Sequence, residues 1–171
     1  DIDISDRIWT PIGLKYNFTG NFNGNGFTIK GLWCQIFSDD DPVYTNTSSA
    51  VNSMGLFGGV YGGGYVSNFV LVDVDIGGDE TYQNMIVAPK YSMRTGAVSA
   101  HLASTNSTVA TISQVGVFGS INIKFWNYIG YVGGIVGFVN GNILLEKSFN
   151  YASVRSECQY GSTSSGYTGG I

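Results

Sequence analysis

Charge, histidine, cysteine and proline are all scarce in this sequence, and each shortage closes off a class of function. Charged residues make up 12% of the 171, about half the usual share of a soluble domain, so the surface has to be largely uncharged and polar. Eight Lys and Arg against twelve Asp and Glu leave a net charge of -4, and the cations stand singly without forming a basic stripe. A field of that sign repels nucleic acid and acidic lipid, so neither is expected as a partner. No apolar run approaches the roughly 18 residues that cross a bilayer, and no direct membrane insertion is expected. Three prolines exclude a proline-rich linker in spite of 25 glycines, and the 14% of aromatic residues excludes simple disorder.

The same scarcity speaks against catalysis. His101 is the single histidine, and no general acid or base accompanies it nearby. Ser99 would share its face of a strand, but a Ser-His pair without a placed carboxylate and a nucleophile turn is not a triad. Cys34 and Cys158 form no zinc pattern, and the glycine-rich segments lack the following helix that binds phosphate. Asp73 and Asp75 sit at i and i+2 on an expected strand, about 6 to 7 Å apart, near the spacing of paired glycosidase carboxylates. Two solvated aspartates are the plainer reading. Asp39-Asp40-Asp41 matches no calcium-loop spacing and reads as an acidic loop. No catalytic residue, metal ligand or cofactor is expected.

What the chain does have is a repeat. Thr95-Gly96-Ala97-Val98, Val132-Gly133-Gly134-Ile135 and Thr168-Gly169-Gly170-Ile171 recur 37 and then 36 residues apart, and Gly55-Leu56-Phe57-Gly58 is an earlier copy. Copies lead into β-branched and aromatic runs at 66–76, 112–121 and 145–154, the mark of short strands. From Val70 to Ile76 the even positions are apolar, the period of a half-buried strand with Asp73 and Asp75 outward. Short strands separated by glycine-rich corners suit a coil that stacks turn on turn, of which the parallel β-helix is the simplest. Asn23-Gly24-Asn25-Gly26, between Phe22 and Phe27, is a tight-turn signal and predicts an initial hairpin. Trp9 and Phe18 would then cover the first open turn.

Trp9-Thr10-Pro11-Ile12-Gly13 and the segment from Phe18 to Leu32 resemble the opening of GLUG-motif repeat proteins. Gly55-Leu56-Phe57-Gly58 with Gly64-Tyr65-Val66-Ser67-Asn68, and Gly134-Ile135-Val136-Gly137 with Gly141-Asn142-Ile143, resemble the motif itself. The chain departs from it at Ala97-Val98-Ser99-Ala100, where Ala replaces both glycines, and at Leu144-Leu145. Such repeats belong to large secreted or surface proteins of microbes, including adhesin-like chains and the non-catalytic parts of IgA-cleaving metallopeptidases. The resemblance covers most of the chain and implies a β-solenoid in an extracellular setting. It supplies no catalytic residue.

Two insertions interrupt the repeat, at 35–52 and 77–94. Tyr82 and Tyr91 in the second, and the cluster Phe125, Trp126 and Tyr128, are candidate contacts for a glycan or a protein partner. Asn17, Asn46 and Asn106 head Asn-x-Ser/Thr sequons and are candidate glycosylation sites. Cys34 falls in the first turn and Cys158 in the last, too far apart along a coil for an internal bridge. A disulfide between stacked molecules is the alternative.

The expectation is therefore one all-β domain over 1–171: a glycine-rich parallel β-helix or solenoid of three to four turns. Residues 1–33 form its capping hairpin segment and 54–171 its repeats, within a longer array or assembly. The expected role is an extracellular structural or adhesive module, a filament protomer joined end to end through self-association or neighbouring repeats. A glycan-binding module, and behind it a polysaccharide-acting enzyme using Asp73 and Asp75, stay open as alternatives.

Overall fold

The computed structural model of the chain describes residues 1–34, 45–46, 51–77, 92–105, 107–125, 129–158 and 165–170, with backbone alone at 45, 46, 51, 92, 125 and 158. The elements are β1 (Ile2–Asp3), β2 (Asn21–Lys30), β3 (Trp33–Cys34), β4 (Thr45–Asn46), β5 (Val51–Met54), β6 (Val60–Tyr61), β7 (Tyr65–Ile76) and β8 (Ser92–Gly96). They continue with β9 (Ser99–Ala103), β10 (Ala110–Phe125), β11 (Ile129–Gly133), β12 (Val136–Asn140), β13 (Ile143–Glu146), β14 (Phe149–Asn150), β15 (Ser153–Cys158) and β16 (Ser165–Gly169). All are strands.

They form three sheets. The first has the order β1-β2-β7-β10-β13, with β3 also on β7 and with β14 and β15 also on β10. The second runs β16-β11-β8-β5-β4 and the third β12-β9-β6. Every pairing is parallel except β4 with β5. From β5 onward the chain visits the second, third and first sheets in that order, three times over, and then re-enters the second as β16.

The sequence period is the pairing register. Thr95 stands beside Val132, and Val132 beside Thr168, so the recurring copies lie on one another. Before the corner Met54 pairs with Thr95; beyond it Phe57 bridges to Ser99, so the earlier copy makes this corner with one residue fewer. The opening segment joins the same stack, with Ile12 bridged to Phe57 and Phe18 to Val60.

The expected hairpin at Asn23-Gly24-Asn25-Gly26 does not form. The whole of β2 runs parallel to β7, and between Asn23 and Phe27 it spends four residues where β7 spends two, from Ser67 to Phe69. The turn-forming residues make a bulge instead, with Asn25 at φ 53° and Gly26 at φ 77°. Left-handed residues follow at the same level, Asn68 of β7 at φ 62°, Gln114 of β10 at φ 54°, and Lys147 at φ 49° between β13 and β14. A column of left-handed residues thus crosses the first sheet, each bending the chain where its neighbour bends.

A second irregularity lies at Asp73, φ 52°, opposite the register shift between Val117 and Gly119. It corrects the expected alternation. From Phe69 onward the buried residues of β7 are Phe69, Leu71, Val74 and Ile76, while Val70 and Val72 are only half-buried. One left-handed residue moves the apolar phase from odd to even positions.

Phe57, Leu71, Ile76, Ile112, Ile121 and Ile135 are fully buried and form the centre of one continuous core. Each such side chain contributes about 1.5–3 kcal/mol relative to exposure. At one end Trp9, Phe18 and Phe22 pack on that core, with the rings of Phe18 and Phe22 5.0 and 5.5 Å from that of Phe57. At the other, Ile143, Leu145 and Val154 are its half-buried last layer. Of the two expected insertions, 35–44, 47–50 and 78–91 lie outside the described residues. Their final parts are not loops, since β5 and the start of β8 belong to the second sheet.

Candidate functional site

Two rows of side chains meet between the second and third sheets. Across the second sheet Ser53, Arg94, Tyr131 and Tyr167 are successive neighbours; across the third, His101 and Phe138 are. Glycine brings the rows together. A methyl group on Gly137 of β12 would stand 2.6 Å from the backbone N and O of Thr95, so β12 touches β8 only because Gly137 has no side chain.

The rows then interlock. The Tyr131 and Phe138 rings are 4.8 Å apart, and the Arg94 guanidinium carbon lies 4.4 Å above the Phe138 ring, a cation–π contact. Arg94 Nη1 donates to His101 Nδ1 at 3.0 Å, and the Tyr61 hydroxyl is within hydrogen-bonding reach of the same nitrogen. The Tyr61 and His101 rings meet edge to face at 4.8 Å. Tyr131 and Tyr167 stack with centroids 5.1 Å apart and planes 10° from parallel.

A guanidinium has no lone pair to give, so Nδ1 of His101 is the acceptor and the ring proton sits on Nε2. That Nε2 is buried without a partner among the described residues, as is Arg94 Nε. Burial, aided by the Arg94 charge, pushes the His101 pKa down to about 4, which keeps the ring neutral at neutral pH. Burial also lowers the pKa of Arg94 and raises that of Tyr61. Among the described residues no carboxylate pairs with Arg94.

Ser99 does not serve His101 as a nucleophile's base pair would require; its hydroxyl donates to the His101 backbone carbonyl at 2.8 Å. Asp73 is exposed and pairs with Lys30 at 3.7 Å, while Asp75 is half-buried beyond the left-handed bend. Asn17 is exposed. Asn46 is placed by its backbone in β4, and Asn106 lies outside the described residues. Phe125 ends β10, known there by backbone alone, and Trp126, Tyr128, Tyr82 and Tyr91 lie outside the described residues. Asp39, Asp40 and Asp41 lie outside them as well.

Cys34 is fully buried, and burial raises its thiol pKa to about 12. It lies in register with Ile76, Ile121 and Val154, three strands from the one that carries Cys158. A bond from Cys34 to another molecule would require this end of the core to open. Among the described residues no three His, Cys, Asp or Glu side chains converge as metal ligands, and no helix is long and apolar enough to cross a membrane.

No family model, curated protein or solved structure matches the chain. Arg94, Tyr61, Phe138 and Tyr167 escaped the reading of the sequence. The repeat carried a signal for three of them: Arg94, Tyr131 and Tyr167 each precede the recurring Thr/Val-Gly step, and His101 and Phe138 are likewise 37 residues apart.

Proposed function

We propose that the chain is a parallel β-solenoid of three to four turns, akin to the GLUG-motif repeats it resembles, and serves as a non-catalytic structural and adhesive module outside the cell. The coincidence of sequence period and pairing register carries this reading, because repeats that stack in register build a rigid, extendable body. The manner of assembly is suggested by the two ends. At the first, β4 lies antiparallel on β5, and Trp9 and Phe18 cover the core. At the last, β12, β13, β14, β15 and β16 each pair on one side only among the described residues. Open edges accept further strands, from neighbouring repeats or from another copy, and an end-to-end filament results when such contacts do not close.

Electron microscopy of negatively stained protein from its native source, with the intact chain mass measured in parallel, tests this. Filaments built from chains of about this mass are expected. Discrete particles at every concentration would overturn the filament and leave one segment of a longer surface protein. The glycan-binding alternative through Phe125, Trp126 and Tyr128 has its own check, loss of glycan-array binding in Trp126→Ala. An enzyme using Asp73 and Asp75 requires carbohydrate cleavage that Asp73→Asn abolishes.

A further inference from the structure

Around His101 the described side chains hold more donors than acceptors. Arg94 offers five N–H groups, His101 one and the Tyr61, Tyr131 and Ser53 hydroxyls one each, whereas the side-chain acceptors are the single lone pair of His101 Nδ1 and those three hydroxyl oxygens. Two donors already converge on that lone pair. Arg94 Nε and His101 Nε2 are buried and have no hydrogen-bond partner among the described residues. The cluster is also positively charged, without a carboxylate partner among the described residues. Arg94, which carries that charge, is half-buried, and a partly desolvated charge gains from an anion with acceptor atoms.

We propose that Arg94 binds the carboxylate group of a ligand, whose body lies along Tyr131 and Tyr167. A carboxylate suits the site better than a phosphate or sulfate dianion. Among the described residues one guanidinium stands here with no other cation beside it, and its planar fork matches two coplanar oxygens. Phe138 covers one face of the guanidinium at 4.4 Å, and a carboxylate would meet its N–H groups in the plane of the fork. Tyr131 and Tyr167 follow Arg94 at one strand spacing each, and Tyr167 is 57% exposed, so an aromatic rail with two hydroxyls leads away from the charge. An acidic sugar offers both a carboxylate and a ring for that rail; a simple carboxylic acid offers the first alone.

His101 makes the test direct. It is the chain's single histidine, so its imidazole carbon-bound protons give one NMR signal pair that needs no assignment. Bound carboxylate would draw on Arg94 and offset its charge, moving these signals and raising their titration midpoint. The full chain is titrated with sodium glucuronate, sodium acetate and glucose, each to about 50 mM, a range that reaches millimolar dissociation constants.

Saturable shifts with glucuronate, none with glucose, and at least a tenfold loss of affinity in Arg94→Gln are expected. If acetate matches glucuronate, the carboxylate site stands and the tyrosine rail is discarded; tighter binding of glucuronate, weakened in Tyr167→Ala, supports both. Equal shifts with glucose, no shift with either acid, or an undiminished response in Arg94→Gln would overturn the proposal. Should Arg94→Gln fail to fold, Arg94→Lys decides, because it keeps the charge and loses the fork: weaker binding supports the site and unchanged binding refutes it.

Discussion

Left-handed backbone in the first sheet falls on residues of unequal tolerance. Asn accepts φ near +60° readily, whereas Gln114 and Lys147 do not, and both are exposed with little packing to compensate. Relief of a left-handed β-carbon is worth about 1–2 kcal/mol, and glycine's greater chain entropy returns about 0.5–1 of it. Gln114→Gly is therefore expected to stabilise the protein by about 0.5–1 kcal/mol in denaturant titration. Asn68→Val, at the same level of the neighbouring strand, is expected to destabilise it. His101 yields a second expectation. Its folded pKa of about 4 lies below the ordinary 6.5, so between these values the unfolded chain binds more protons and stability falls as pH falls. Among the described residues Tyr61 and Arg94 are the titratable groups in direct contact with the ring; burial raises the tyrosine pKa further above that range, and a guanidinium keeps its proton throughout it. The loss between pH 7 and pH 5 is expected to be at most about 2 kcal/mol. His101→Gln should flatten that part of the profile; an unchanged slope would show that the ring is not the source.

Glycine does two separate jobs in these elements, and one substitution repeated at two places tells them apart. Ala at position 137 would press its methyl on the Thr95 backbone, which cannot swing aside as a side chain could. The second and third sheets would have to separate, at about 2–3 kcal/mol, with the Tyr131–Phe138 contact disturbed as well. Ala at position 170 meets nothing within 4 Å and is expected to change stability by less than about 0.5 kcal/mol. A comparable loss at both positions in thermal unfolding would show that close approach is not what Gly137 provides. The copies around Gly55, Gly96 and Gly133 were legible because their spacing is the strand register itself. The bulge at Asn23-Gly24-Asn25-Gly26 was not, since a turn signal and a bulge signal use the same left-handed residues; only the partner strand decides between them. The phase change at Asp73 was hidden for a related reason, because Val70 and Val72 are apolar yet half-buried. The cluster around Arg94 was hidden by assigning residue 94 to an insertion, which removed it from alignment with Tyr131 and Tyr167.

Across the whole molecule, strands gain stability from neighbours on both edges, and the sheet order makes this unequal along the stack. β7 lies between β2 and β10, and β10 lies between β7 and the group β13, β14 and β15. β16 has β11 on one edge and is exposed over its full length. Opening should start at the ends and reach the middle last. Native-state hydrogen exchange is accordingly expected to give the slowest amides in β7 and β10, faster ones in β13 and β15, and the fastest in β16. Equal protection in all of these would mean that the molecule opens only as one unit, contrary to the layered order. Concentration adds the functional arm. If another copy adds strands to the last edges, protection in β16 and β15 should rise with protein concentration while that of β7 stays constant. If the edges remain open, the profile should not depend on concentration, and the assembly would have to come from elsewhere on the surface.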